Sequence, residues 1–348
     1  MDLLPTAEQR SFGDTLRGLL RADCPSARMR EVIAEPPGWD RPLWQRLAGE
    51  LGVLGPGIPA GYGGFPGGVR ELAVVATELG RALAPVPFLG AALAARALAR
   101  GADRDRLLPG LLAGRSLVLW APGGQVSERD GALHGRVRLV PHGAAAEVLL
   151  VPGARDVYLV PGESPGLTRI QLSTMDPTRP ACALELSGVP ARGLGAADPA
   201  RLVEEIEDLA AILLAAEQIG GAAACLDLAV AHVRRREQFG RPIGSFQAVQ
   251  HRCADMYVTA QLAEAAAWHA ACAADLLPAE APVAARVAVL RSADAYCRIA
   301  ADTVHLHGGL GFTWEHDAQL HYRRARAGAQ LLGGPVAQRA VLAERLGV

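Results

Sequence analysis

The sequence contains no lysine and no asparagine, and all of its 35 cationic residues are arginine. Without lysine the chain lacks both the phosphate-binding residue of a P-loop and the amine that forms a Schiff base with pyridoxal phosphate. The formal net charge over 348 residues is −1. No global positive field is therefore available to hold nucleic acid or an anionic membrane, and neither partner is expected.

Cysteine chemistry is also sparse. The six cysteines form no C-x-x-C pair, so zinc or iron–sulfur ligation is not predicted and no metal site is expected. The first residues have no basic start followed by an apolar core, as a signal peptide would. No apolar run approaches the roughly 20 residues of a membrane span. These features predict a reduced, cytoplasmic setting.

The local sequence pattern changes twice along the chain, and the three resulting parts predict an α+β fold. Residues 1–112 favour an N-terminal helical domain, in which Thr6 and Gln9 have the spacing of a capping box. Residues 113–198 carry short β-leaning runs separated by turn residues, which predict a small antiparallel β-domain. Residues 199–348 favour long helices packed as a four-helix bundle. The bundle begins at Asp198, where an N-cap aspartate precedes proline.

Five β-runs and eight helices carry this prediction. The runs lie at 116–120, 137–140, 147–151, 157–160 and 183–186. Helices are predicted at 6–20, 43–51, 70–83, 89–100, 201–236, 245–277, 282–307 and 318–332, and a last segment runs to residue 345.

Two motifs make the plan specific: residues 236–247 (REQFGRPIGSFQ) and residues 305–317 (HLHGGLGFTWEHD). Both closely resemble the C-terminal bundle of acyl-CoA dehydrogenases. Weaker matches at 59–64 (PAGYGG), 78–81 (ELGR) and 176–179 (DPTR) extend the resemblance over about the whole chain.

The resemblance implies a cofactor and a reaction of lipid metabolism. In the family, flavin adenine dinucleotide (FAD) lies between the β-domain and the bundle, partly on a neighbouring subunit. A carboxylate removes the α-proton of an acyl thioester while the β-hydride passes to the flavin. The protein contributes orientation and electrostatics to this flavin chemistry.

The first motif supplies candidate cofactor contacts. The family match implies that Arg236, Gln238 and Phe239 contact the flavin nucleotide and that Gln247 lies near it. Arginine offers a planar fork of donors suited to a pyrophosphate. Considered without the motif, Arg236 would be a solvated arginine at a helix end, where its charge suits the helix dipole.

The second motif supplies a backbone contact. Gly308 and Gly309 carry no side chains, so their backbone can approach a bound phosphate or ribose. His305 stands where relatives often carry glutamine and could offer a ring nitrogen to the cofactor. The alternative for His305 is a histidine satisfied within the core.

The catalytic base of the family is missing from its usual places. The resemblance aligns Leu332 with the glutamate of many relatives and Ala210 with the glutamate of a second branch. Loss of a positioned base typically costs about 10²–10⁴ in rate. Glu217, two helical turns after Ala210, could serve instead if burial raised its pKa. The alternative is a Glu217 carboxylate paired with an arginine in the bundle.

The β-domain departs from the family as well. Relatives carry Thr-Glu-Pro-Gly-Ala-Gly-Ser-Asp in a loop that touches flavin and thioester, whereas residues 119–125 read LWAPGGQ. The hydroxyl groups that would bind the flavin are missing from this loop. The chain is therefore not expected to form a complete active site alone.

Three hypotheses follow. The first is a flavoprotein subunit whose partner chain supplies the base, similar to the mixed acyl-CoA dehydrogenases of sterol side-chain breakdown. The second is a homo-oligomeric or repurposed biosynthetic relative with an unusual base such as Glu217. The third is a non-enzymatic acyl-binding or scaffold subunit. The resemblance implies an acyl thioester substrate on coenzyme A or a carrier protein. It also implies a homo- or hetero-oligomer, with a dimer-of-dimers tetramer as the expected form.

Overall fold

The computed structural model describes residues 3–348 and has the predicted α+β architecture. The α-helices within this range are α1 (Ala7–Asp23), α2 (Ser26–Ala34), α3 (Arg41–Gln45), α4 (Val69–Arg81), α5 (Phe88–Leu98), α6 (Arg104–Leu112), α7 (Pro199–Arg235), α8 (Gln247–Leu276), α9 (Ala281–His307), α10 (Gly309–Phe312), α11 (Asp317–Gly328) and α12 (Gly334–Leu346). The strands are β1 (Val118–Trp120), β2 (Gln125–Arg129), β3 (Ala132–Pro141), β4 (Val148–Pro152), β5 (Val157–Pro161), β6 (Leu167–Leu172), β7 (Ala181–Pro190), β8 (Glu237–Gln238) and β9 (Arg241–Pro242).

Both predicted helix starts are confirmed. The Thr6 hydroxyl accepts the Gln9 N–H at 3.2 Å, and the Gln9 side chain accepts the Thr6 N–H at 2.9 Å. The Asp198 carboxylate accepts the Arg201 N–H at 3.1 Å, so α7 begins where the aspartate–proline pair indicated. These side chains satisfy backbone donors that a helix start leaves unpaired.

The described chain divides into two compact units. One comprises Arg30–Leu72 and Pro85–Ala210 and contains two sheets, with strand orders β1-β4-β5 and β2-β3-β7-β6. The second sheet is antiparallel throughout, as predicted, but β1 runs parallel to β4. The division into three domains at residues 112 and 198 stays a prediction.

The other unit runs to Met29 and adds Ala73–Ala84 and Ala211–Val348. Two of its helices, α4 and α7, approach closely where a glycine of each helix faces the backbone of the other. A Cβ at Gly80 would overlap the carbonyl of Glu217, and a Cβ at Gly220 would overlap the carbonyl of Thr77. Two glycines therefore allow α4 to lie directly against α7. Ion pairs flank this contact, with Arg17 to Glu78 and Arg81 to Asp227 both at 2.6 Å.

The core of this unit is built from small and medium side chains on α7, α8, α9 and α11. Its fully buried members are Ala222, Cys225, Ala229, Met256, Ala260, Tyr296, Ile299, Ala300 and Ala325. Alanine at so many contact positions lets the helices pack tightly, and Tyr296 fills the space beside Gly221.

Helix α7 is the most apolar element. Among the described residues, α7 is the one helix whose length and composition would allow it to cross a membrane. The sequence did not predict this feature, because α7 contains no uninterrupted apolar run of that length. In the structure 83% of its most apolar window is buried. A core helix shows this same combination of apolar composition and burial.

Candidate functional site

The first motif forms a short hairpin directly after α7. Its turn is Phe239–Gly240, with φ of 54° and 74°. Two-residue hairpin turns of this kind need positive φ at both positions. For a non-glycine residue that conformation costs about 1–2 kcal/mol. Phe239 is 91% exposed, and its ring meets Phe246 edge-on with centroids 6.1 Å apart. The hairpin thus presents an aromatic side chain whose surface is almost entirely open.

The polar members of this motif are likewise exposed. The side chains of Arg236, Gln238 and Gln247 lie at the surface. Among residues 3–348 the Arg236 guanidinium has no hydrogen-bond or ion-pair partner. Its backbone is fixed on both sides, because its N–H binds the His232 carbonyl at 2.9 Å and its carbonyl accepts the Ile243 N–H at 2.8 Å. A rigid backbone therefore holds a donor fork that no other side chain occupies.

The glycine pair adjoins open space. Helix α9 ends at His307, and Gly308 has φ 60° and ψ −140°, a conformation suited to glycine. A Cβ built at either Gly308 or Gly309 would meet nothing within 4 Å. The space that side chains would fill is thus available to a ligand, which suits a phosphate or ribose of FAD. His305 is exposed, so it is not a histidine satisfied within the core.

A stack of three histidines, which the sequence analysis missed, links the two motifs. The ring of His307 lies between those of His232 and His316, with centroid distances of 4.1 and 4.3 Å. His232 lies one helical turn before Arg236, and His307 directly precedes Gly308. The stack therefore places the arginine segment and the glycine turn side by side. The available signal was the spacing of four residues between His232 and Arg236 on one helix face.

Neither expected base position carries a carboxylate. Ala210 is buried in α7. Leu332 is half-buried and left-handed, with φ 57° and ψ 30°. A buried relay fixes its backbone: the Arg286 guanidinium donates to the Gln338 Oε1 at 3.0 Å, and Gln338 Nε2 donates to the Leu332 carbonyl at 2.6 Å. The loop is thus held firmly, but its apolar side chain cannot accept a proton.

The Glu217 side chain is held by an ion pair. The guanidinium Nε of Arg324 on α11 donates to its Oε1 at 3.0 Å, and the two side chains are only 12% and 5% exposed. This is the pairing with a bundle arginine that the sequence analysis named as the alternative to a base. One turn before Arg324, His321 binds the Tyr296 hydroxyl at 2.8 Å, and burial lowers the pKa of His321 to about 4. The Glu217 carboxylate is thus paired within a polar layer of the core, although the neighbouring Gln218 amide is buried without a hydrogen-bond partner in the described residues.

A separate cleft lies within the unit that contains the sheets. It has a volume of about 740 Å³ and is lined by the loop 123–127, the turn 152–155 and the start of α7 at 198–203. Gln125, Ser127, Arg155 and Asp198 supply its polar side chains. Residues 123–125 belong to the shortened segment noted in the sequence, and Ser127, on β2, provides a hydroxyl just beyond that segment.

Comparison with known protein families gives two matches. Residues 6–115 match the acyl-CoA dehydrogenase N-terminal domain, and residues 202–347 match the acyl-CoA dehydrogenase C-terminal domain. Both motifs of the candidate site fall within the second match.

Three known proteins are similar over nearly the whole chain. The acyl-CoA dehydrogenase IpdE2 of Mycobacterium tuberculosis is 37% identical over 96% of this chain and 95% of its own. A chain of the ChsE4–ChsE5 complex from Mycobacterium tuberculosis superposes with a TM-score of 0.91 at 29% identity, covering 100% of this chain and 99% of that one. A chain of the Tcur3481–Tcur3483 steroid ACAD, a G363A variant, gives 0.89 at 31%, covering 98% of both.

Proposed function

The chain belongs to the acyl-CoA dehydrogenase family, whose members are FAD-dependent oxidoreductases, and from that premise we propose that it is one subunit of a hetero-oligomeric enzyme whose partner supplies the catalytic base. The reaction is the α,β-desaturation of an acyl thioester. The observation that carries the proposal is that none of the three positions considered for the base offers an unpaired carboxylate. Leu332 and Ala210 occupy the base positions, and Glu217 is engaged by Arg324.

The residues of this chain bind and orient the cofactor. Arg236 grips the pyrophosphate with its donor fork, and Phe239 packs on the nucleotide. Gly308 and Gly309 let backbone approach it, and Gln238, Gln247 and His305 add polar contacts around it. Bound FAD supplies the hydride acceptor. The exposure of these side chains supports a site completed by a second subunit, because a nucleotide held by one chain alone would need more enclosure.

The partner and substrate are proposed from the relatives. One similar structure is a complex of two differently named chains, and another is called a steroid ACAD. We infer a partner chain of the same family, assembled with this one as a dimer of dimers, and a sterol-derived acyl group carried on coenzyme A. The 740 Å³ cleft beside Ser127 and Arg155 offers space for part of the thioester, which supports this inference. The six free cysteines support a cytoplasmic location.

Co-purification tests the proposal. The chain is expressed with the acyl-CoA dehydrogenases encoded near it, and each purified complex is analysed for chain ratio and flavin content. We expect a yellow complex with a fixed ratio of the two chains. A chain that assembles only with itself and desaturates an acyl-CoA would favour the homo-oligomeric alternative. A complex without flavin would favour the non-enzymatic one.

A matched pair of variants tests the arginine fork. Arg236→Gln removes the charge from the proposed pyrophosphate contact, whereas Arg234→Gln removes a charge that is also exposed, two residues earlier at the end of α7. A charge-assisted hydrogen bond contributes about 1.5–3 kcal/mol, which corresponds to about 10–100-fold in FAD affinity. We expect that loss for Arg236→Gln alone. Equal FAD affinity in the two variants would show that Arg236 does not contact the cofactor.

A further inference from the structure

The histidine stack lies where three helix ends meet. His232 belongs to the last turns of α7, His307 is the last residue of α9, and His316 caps the start of α11. The ring planes are inclined by 31° between His232 and His307 and by 45° between His307 and His316. The rings are thus in contact but tilted against each other. Among the described residues no group of three His, Cys, Asp or Glu side chains is arranged to hold a metal ion.

Hydrogen bonds define where a proton can be added. His307 Nδ1 lies 2.8 Å from the Thr303 carbonyl, which only accepts, so Nδ1 carries the hydrogen that joins the two. His316 Nδ1 accepts the Ala318 N–H at 3.1 Å and is therefore unprotonated. The His232 ring has no hydrogen-bond partner among residues 3–348. His232 can thus gain a proton without loss of a hydrogen bond.

The surroundings of His232 oppose its protonation when no anion is present. Burial lowers the pKa of His232 first, followed by the charges of His307 on α9, His316 before α11, and Arg236 and Arg235 on its own helix. Asp317, on the same stretch as His316, is bound by the Ser26 hydroxyl at 2.7 Å. Burial and the two arginines therefore disfavour a proton on His232, and a charge on either neighbouring histidine would add to that effect.

We propose that the stack of His232, His307 and His316 is a proton-coupled part of the anion site, which takes up a proton when a pyrophosphate group binds at Arg236 and the Gly308 turn. This inference rests on the proposed placement of the cofactor. A bound dianion cancels the charge of Arg236, which is one of the groups that oppose protonation of His232. The added proton in turn strengthens the attraction for the anion.

Linkage fixes the sign of the pH dependence. In the free protein His232 has a lowered pKa, and a bound anion raises it. Affinity for the anion therefore rises as the pH falls through the region near and below 6.5, the ordinary histidine value. Each unit by which the anion raises the pKa increases the affinity about tenfold. A stack that served only to hold the two segments together would give the opposite sign, because protonation would push the three rings apart.

Calorimetry of FAD binding to the deflavinated protein, together with its partner chain where a complex forms, tests the inference. FAD is a suitable probe because its pyrophosphate does not titrate between pH 6 and pH 8. We expect the Kd to be lower at pH 6 than at pH 8, and the full factor of about tenfold per unit of pKa shift is reached only below the pKa of His232 in the free protein. Titrations at pH 6.5 in two buffers of different ionisation enthalpy should reveal net proton uptake.

Variants assign the proton to the stack. His232→Phe keeps an aromatic ring against His307 but cannot be protonated, so it should abolish both the proton uptake and the pH dependence. His269→Phe, on α8 outside the stack, should retain both. FAD binding that is independent of pH, or weaker at pH 6, would overturn the inference and leave the proposed function intact. Absence of FAD binding at both pH values would overturn the two together.

Discussion

Breaking the ion pair between Glu217 and Arg324 should destabilise the protein strongly without removing a catalytic group. Both side chains are nearly buried, at 12% and 5% exposure, and the Nε to Oε1 distance is 3.0 Å. Arg324→Met would leave the carboxylate in the core without its cation. Removal of one partner from a buried pair costs about 3–5 kcal/mol. Replacement of both, as Glu217→Leu with Arg324→Met, should recover most of that loss because neither charge then remains buried.

An exposed pair provides the matched control. Arg252 and Asp302 lie 2.5 Å apart, but their side chains are 47% and 25% exposed. Pairs of this kind contribute about 0–1 kcal/mol, so Arg252→Met should have little effect. Urea denaturation followed by circular dichroism of the unaltered protein, Arg324→Met, Glu217→Leu and the double variant gives the coupling energy of the pair, and Arg252→Met is measured beside them. A cost for Arg324→Met no larger than that for Arg252→Met would refute the interpretation.

The same pair separates a structural from a catalytic Glu217. Glu217→Gln keeps the size of the side chain and one acceptor oxygen but cannot act as a base. In the complex with the partner we expect desaturation within about twofold of the unaltered enzyme, because loss of a true base would cost about 10²–10⁴. A loss of that size would make Glu217 the base and contradict the proposal of a partner carboxylate.

Three further changes probe the site and its support. Gly309→Leu should lower the flavin-to-protein absorbance ratio but not the melting temperature, because a Cβ at this position meets nothing within 4 Å in the protein itself. An unchanged flavin content would show that the cofactor does not bind at this turn. Gln338→Leu removes the link between Arg286 and the Leu332 carbonyl and should cost about 1–3 kcal/mol in urea denaturation; no change would show that the relay is dispensable. Burial lowers the pKa of His321 to about 4, so as the pH falls the unfolded chain binds this proton before the folded protein does. The free energy of unfolding should therefore fall by roughly 3 kcal/mol between about pH 6.5 and pH 4. His321→Gln should flatten that part of a pH series, and an unchanged slope would show that His321 is not the responsible group.

The sequence predicted the elements that carry strong local signals. The capping box at Thr6 and the helix start at Asp198 depend on contacts within four residues, so the local sequence was sufficient to predict them. Strands β2 and β6 were missed because they lie at sheet edges, where only one of their eleven residues is buried and no apolar run marks them. Helix α6 was missed because Pro109 lies inside it.

The candidate site shows the same limit. The two motifs identified the arginine segment and the glycine turn, but nothing local indicates that His232 stacks on His307. That contact joins residues far apart in the chain and depends on the packing of α7 against α9. The pairing of Glu217 with Arg324 is also set by the tertiary packing of two helices, so the sequence could only leave it open beside the role of a base.

Anaerobic stopped-flow measurement of flavin bleaching by an acyl-CoA tests the central claim most directly. The flavin-loaded chain alone and the complex with its partner are mixed with the same substrate, and the rate of loss of flavin absorbance is compared. The account predicts reduction in the complex and a rate at least about 10²-fold lower for the chain alone. Equally rapid bleaching by the chain alone would contradict it, because a carboxylate of this chain would then be removing the proton.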